Sequence, residues 1–152
     1  MATRRELKVY VQRRGGYDRD ALVETAVRTV VAKVFSTRLS NTLRITLQMR
    51  STTLTKNRIG EAHWEVVANP ASKHYKIVVD RDLPGPELVR VINHEVQHLH
   101  QFATGRLRFG KRGGVAGCFW RPSTGPAQFF PHASTDYWTS PWEVEARAAE
   151  GV

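Results

Sequence analysis

At 152 residues the chain has the length of one domain and is long enough to bury a core. Hydrophobic residues make up 41% and charged residues 24%, which excludes a disordered polyelectrolyte, and no apolar run approaches the ~18 residues of a transmembrane helix. The net charge of +9 lies wholly in residues 1–60, with thirteen Lys and Arg against four Asp and Glu, whereas residues 61–152 carry ten of each. Such a field attracts nucleic acid or an acidic partner, and its plainer reading is a surface kept soluble by charge. The single cysteine, Cys118, excludes an internal disulfide framework. No apolar stretch follows the basic start MATRRELKVYVQRR, so a secretory signal is not expected and the cytoplasm is the expected location.

The elements follow in chain order. ELKVYVQ (6–12) alternates Leu7, Val9 and Val11 with polar neighbours, the period of a half-buried strand. Val23, Val27, Val30, Val31 and Val34 then fall on one helical stripe, with Asp18 or Asp20 as the expected N-cap. LRITLQMR (43–50) is the clearest strand, its Leu43, Ile45, Leu47 and Met49 pointing to the core and its arginines to water or a polyanion. EAHWEVVA (61–68) and HYKIVVD (74–80) predict a hairpin across NPASK. After DLPGP, Pro86 suits the first turn of a helix that runs to Thr104-Gly105, where glycine caps it; Val91, Val96, Leu99 and Phe102 give it buried sides. Residues 106–139 show no clear period and are expected as a long loop within a single domain spanning 1–152. Ser140-Pro141-Trp142-Glu143 opens a short last helix, docked by Trp142, Val144 and Ala148.

The chemistry concentrates in NHEVQHLHQ (93–101). At 100° per residue His94 and His98 leave one helix face a turn apart, and Glu95 stands beside it. Two imidazoles so placed can hold one Zn²⁺ at ~2.1 Å, while the carboxylate reaches a water on the ion. His100 falls on the far side and is expected to pack or face solvent. A random ordering of this composition yields H-E-x-x-H about 0.014 times per chain, so chance accounts poorly for it.

His94-Glu95-x-x-His98, with the order helix, strands, hairpin, motif helix and later helix, resembles a zincin-type metallopeptidase. The resemblance implies an α+β fold: a small twisted mixed sheet packed on an N-terminal helix and the motif helix, with a short C-terminal helix. It implies that His94 and His98 are zinc ligands and Glu95 the general base. Gln101 and Thr104 stand where metzincins carry Gly and His, which excludes that subfamily. A third ligand must then come from His132, Asp136, Glu143, Glu145 or Glu150. Glutamate zincins take it from a later E-x-x-A stretch, which Glu143-Val144-Glu145-Ala146 resembles, and Glu143 is the expected ligand with Glu145 next. The following residue is Arg147 rather than Asp or Asn, which leaves the usual support for a ligating histidine unassigned. A capping box with Ser140 or an i,i+4 pair with Arg147 would account for Glu143 without a metal. Tyr137 is a candidate hydrogen-bond donor to an oxyanion.

The expected function is therefore zinc-dependent hydrolysis of a protein or peptide substrate. Basic residues in 1–60 and 106–121 are expected to meet nucleic acid or an acidic partner, and no membrane. Compact single-domain zincins of this kind resemble those of phage and bacterial genomes, so a virion or other larger assembly is a second expected setting. The rival reading is a catalytically silent zincin fold serving such an assembly, with the basic surface as its working feature.

Overall fold

A computed structural model of the chain describes residues 6–12, 17–50, 74–80, 85–136 and 138–151. They divide into two compact units, Met1–Val96 and Gln97–Val152. Helices and two small sheets together make the class α+β.

In the first unit strand β1 (Lys8–Gln12) leads into helix α1 (Tyr17–Val34), the short helix α2 (Thr37–Ser40) and strand β2 (Arg44–Arg50). Strand β3 (His74–Asp80) completes a sheet of order β1-β2-β3, parallel throughout. Parallel pairing needs a crossover of a dozen or more residues, which the 18-residue α1 supplies between β1 and β2. The register aligns Val9, Ile45 and Tyr75 in one row and Val11, Leu47 and Ile77 in a row two residues on. Side chains alternate along each strand, so these rows share a face. Ile45, Leu47, Tyr75 and Ile77 are buried on it, as are Val23, Val27, Val30 and Val31 of the α1 stripe. Val34 is half-buried. Helix α1 starts at Tyr17, so Asp18 and Asp20 stand in its first turn instead of at the N-cap. Residues 61–68, expected as the first strand of a hairpin, lie outside the described residues.

Helix α3 (Gly85–Ala103) holds the last residues of the first unit and the first of the second. The second unit continues with strands β4 (Leu107–Arg112), β5 (Val115–Trp120) and β6 (Gln128–Pro131), antiparallel throughout. Helix α4 (Pro141–Ala148) follows, between 3₁₀ turns at His132–Ser134 and Ala149–Gly151. The expected loop 106–139 thus contains a three-stranded sheet. In place of one mixed sheet, the described residues form two sheets of opposite type, because short connections after Gly105 permit only antiparallel neighbours. Leu107, Cys118 and Trp120 form the core here, with Phe102, Phe130 and Trp142 packed against it. Trp142 docks α4 by ring contacts with Trp120 and Phe130, and Ala146 is buried beside it. Val144 and Ala148, expected to help, are exposed: α4 turns Glu143 and Ala146 inward. Among the described residues no helix is long and apolar enough to cross a membrane.

Candidate metal centre

Helix α3 is delimited as its sequence requires. Pro86 sits in the first turn, where a missing N–H costs nothing. Gly105 takes φ +74°, the left-handed conformation that ends many helices, and its N–H donates to the Phe102 carbonyl at 3.0 Å. Leu88, Ile92, Val96 and Leu99 bury its apolar side. Unusually, four polar residues are buried as well: His94, Glu95, His98 and Gln101. Burying a polar group costs free energy unless its hydrogen-bonding capacity is met, so their partners define the site.

His94, Glu95 and His98 form a group whose ligand atoms all lie within 4.8 Å of one another and that could hold a metal ion. The helix alone accounts for this, since residues i, i+1 and i+4 fan across 100° of one face. The His94 Nε2 atom stands 3.9 Å from Glu95 Oε1. A carboxylate at that range can serve as a ligand, or as base for a water held beside it.

The surroundings of His98 are more specific. The Gln101 amide nitrogen donates to the Trp142 carbonyl at 3.0 Å and to Glu145 Oε1 at 3.2 Å. With its NH₂ end fixed by two oxygens, Gln101 turns Oε1 to His98 Nδ1, 2.9 Å away. That nitrogen therefore carries the hydrogen and donates it. In a neutral ring Nε2 is then bare, and it faces Glu143 Oε1 at 2.9 Å. Two lone-pair atoms meet at that distance with a proton between them, on the ring or on the carboxyl, or around a metal ion. Both residues are nearly sealed from water, His98 at 1% and Glu143 at 3% relative exposure. Ligand atoms sharing a tetrahedral zinc at ~2.05 Å stand about 3.3 Å apart, so an opening of a few tenths of an ångström would admit the ion.

The capping box expected between Ser140 and Glu143 is incomplete. Ser140 is the N-cap residue of α4 through its carbonyl, which accepts from the N–H groups of Glu143 and Val144, but its side chain makes no capping hydrogen bond. Arg147 donates to the Trp138 carbonyl and stacks on the Trp138 ring at 5.3 Å. Glu145, the next candidate ligand, is taken by Arg106: both carboxylate oxygens accept from the guanidinium, at 2.9 and 2.8 Å. Burial pushes the Glu145 carboxyl up, but the hydrogen bonds from Arg106 and Gln101 and the Arg106 charge hold it below the ordinary range. The two neighbouring glutamates of α4 thus do different work. They lie two residues, or about 200°, apart on the helix.

Comparison with protein-family models, curated proteins and solved structures finds no match. What the centre can do is read from its own geometry.

The other expected residues separate. His100 is half-buried near Arg106 and Glu145; burial and then the Arg106 charge push its pKa below the ordinary histidine value, against the Glu145 charge. His132 is exposed, with its ring 6.1 Å from that of Phe109. Exposed Asp136 accepts from the Trp138 N–H at 3.0 Å, and Glu150 is half-buried in the final turn. Tyr137 lies outside the described residues. Gln101 was not legible as a site residue, although its i,i+3 spacing from His98 was an available signal: residues so spaced share a helix face.

Proposed function

We propose that this chain is a zincin-like peptidase that hydrolyses peptide bonds with zinc. The observation that carries the reading is the buried contact of His98 Nε2 with the Glu143 carboxylate, with Nδ1 already engaged by Gln101. It would let α4 bring His98 a carboxylate as the third ligand that the motif alone lacks. The assigned ligands are His94, His98 and Glu143. When bound, zinc supplies Lewis acidity that polarises a carbonyl and brings the pKa of water to about 7. The chain's own residues do the rest. Gln101 orients the His98 ring, and Arg106 and Glu145 hold Gln101 in place. Glu95, 3% exposed, takes a proton from the attacking water and returns it to the leaving amine, so that one water is consumed per bond cut.

Elemental analysis of the purified full chain tests this reading. One zinc per chain is expected, with marked loss in His98→Ala and Glu143→Ala. Glu95→Gln is expected to keep its zinc and to cleave an unfolded protein substrate about 10²- to 10⁴-fold more slowly. Full zinc in both ligand variants, undiminished cleavage by Glu95→Gln, or no cleavage by the zinc-loaded chain refutes the reading; in the last case the centre is a structural staple.

A further inference from the structure

Residues 106–121 hold five Arg and Lys, and no acid follows before Asp136. The antiparallel sheet sorts this stretch into two unlike faces. The rows Leu107–Trp120–Gln128 and Phe109–Cys118–Phe130 turn Leu107, Trp120, Cys118 and Phe130 to the core of the unit. The alternate row aligns Arg108, Phe119 and Phe129 across all three strands, on the opposite face. Arg108 is exposed and both phenylalanines are half-buried. The Arg108 guanidinium lies 4.9 Å from the Phe119 ring centre, which in turn lies 4.9 Å from that of Phe129.

The next row on this face is Gly110–Gly117–Pro131. Both rings lie down over its glycines. A Cβ at Gly117 would stand 2.7 Å from the Phe129 ring, and one at Gly110 would stand 3.0 Å from the Phe119 ring. Beyond them the strands close through Gly113 and Gly114, at φ +57° and +79°, the signature of a tight two-residue hairpin turn. That turn places exposed Lys111 and Arg112 at the tip. The core of the unit lies on the other face, and this row of laid-down rings beside an arginine is not part of it.

We propose that this face binds single-stranded nucleic acid. Unpaired bases stack on aromatic rings and guanidinium planes, while phosphates meet Arg112 and Arg121. Strands spaced ~4.8 Å apart give the Arg108–Phe129 row a span of about 10 Å, room for about two bases. A duplex hides its bases from such a row, and an acidic peptide would answer the charge but leave the rings unused. None of these residues belongs to the metal centre, so the inference stands apart from the proposed hydrolysis.

Fluorescence anisotropy with the full chain and labelled dT15 or U15 tests it. Single strands are expected to bind more tightly than a 15-base-pair duplex, with affinity falling as salt rises. Phe119→Leu and Phe129→Leu, checked for unchanged circular dichroism, are each expected to weaken binding about five- to hundredfold. Arg108→Gln, at an exposed position that leaves the core untouched, must weaken binding too. Arg112→Gln should lower the slope of log affinity against log salt by about 0.7. Equal or tighter binding of the duplex, displacement of the strand by an acidic peptide at equal charge, or wild-type affinity in Phe119→Leu and Arg108→Gln would each overturn the proposal.

Discussion

Gln101 has no exposed surface, and both ends of its amide are engaged: the oxygen by His98, the nitrogen by Trp142 and Glu145. Leucine has nearly the same volume but can offer none of these bonds. Gln101→Leu should therefore leave the His98 Nδ1 donor without its partner, at about 1–3 kcal/mol. It should also release the ring orientation, lowering zinc affinity about 10- to 100-fold in competition against a chromophoric chelator. Wild-type affinity in this variant would show that the ring is held by something else. The HExxH residues were legible because their chemistry sits in a five-residue window. The surroundings of His98 were not, because Glu143 arrives from another helix, and so do Trp142 and Glu145, which act on the ring only through Gln101.

The elements were legible where local signals set their ends. Pro86 and Gly105 bound α3, and Ser140-Pro141 opens α4. Gly105→Ala places a Cβ in the left-handed region and should cost about 1 kcal/mol, read as a lower urea midpoint with unchanged slope. The β4–β5 hairpin was missed, although Gly113-Gly114 between two six-residue runs was a turn signal. Arginines and glycines on its outer face hid the period-two pattern, since only the inner face alternates in apolar residues. Gly117→Ala drives a methyl group into the Phe129 ring and toward the Phe130 carbonyl, so about 1–3 kcal/mol of destabilisation is expected. An unchanged urea midpoint would mean that β6 can move aside.

At the scale of the molecule, charge and burial set how stability responds to solution conditions. Burial and then the Arg106 charge lower the His100 pKa below its usual 6.5. The unfolded chain therefore binds that proton more readily, and stability falls as pH drops through the ordinary histidine range. Glu145, held below its usual 4.5, adds stability that is present above that value and lost on further acidification. The urea midpoint should accordingly decline from about pH 6.5 downward; a rise on acidification would contradict both assignments. Cys118 is buried in the second core, and burial pushes its thiol up to about 11. At pH 8 a thiol reagent should consume it only as the chain unfolds, so modification at the native-state rate of an exposed cysteine would place it wrongly.

By itself, the order of residues determined the two histidines one turn apart with a glutamate alongside, the helix that carries them, its caps, and the strands with clean alternation. Each is set by interactions within a few positions along the chain. Tertiary structure alone decided which glutamate of α4 meets His98, that Arg106 takes the other, that Gln101 fixes the ring, and that an apparently irregular stretch builds a two-faced sheet. Glu143 and Glu145 are the same side chain two positions apart. Only the direction in which the folded helix points them gives them different partners.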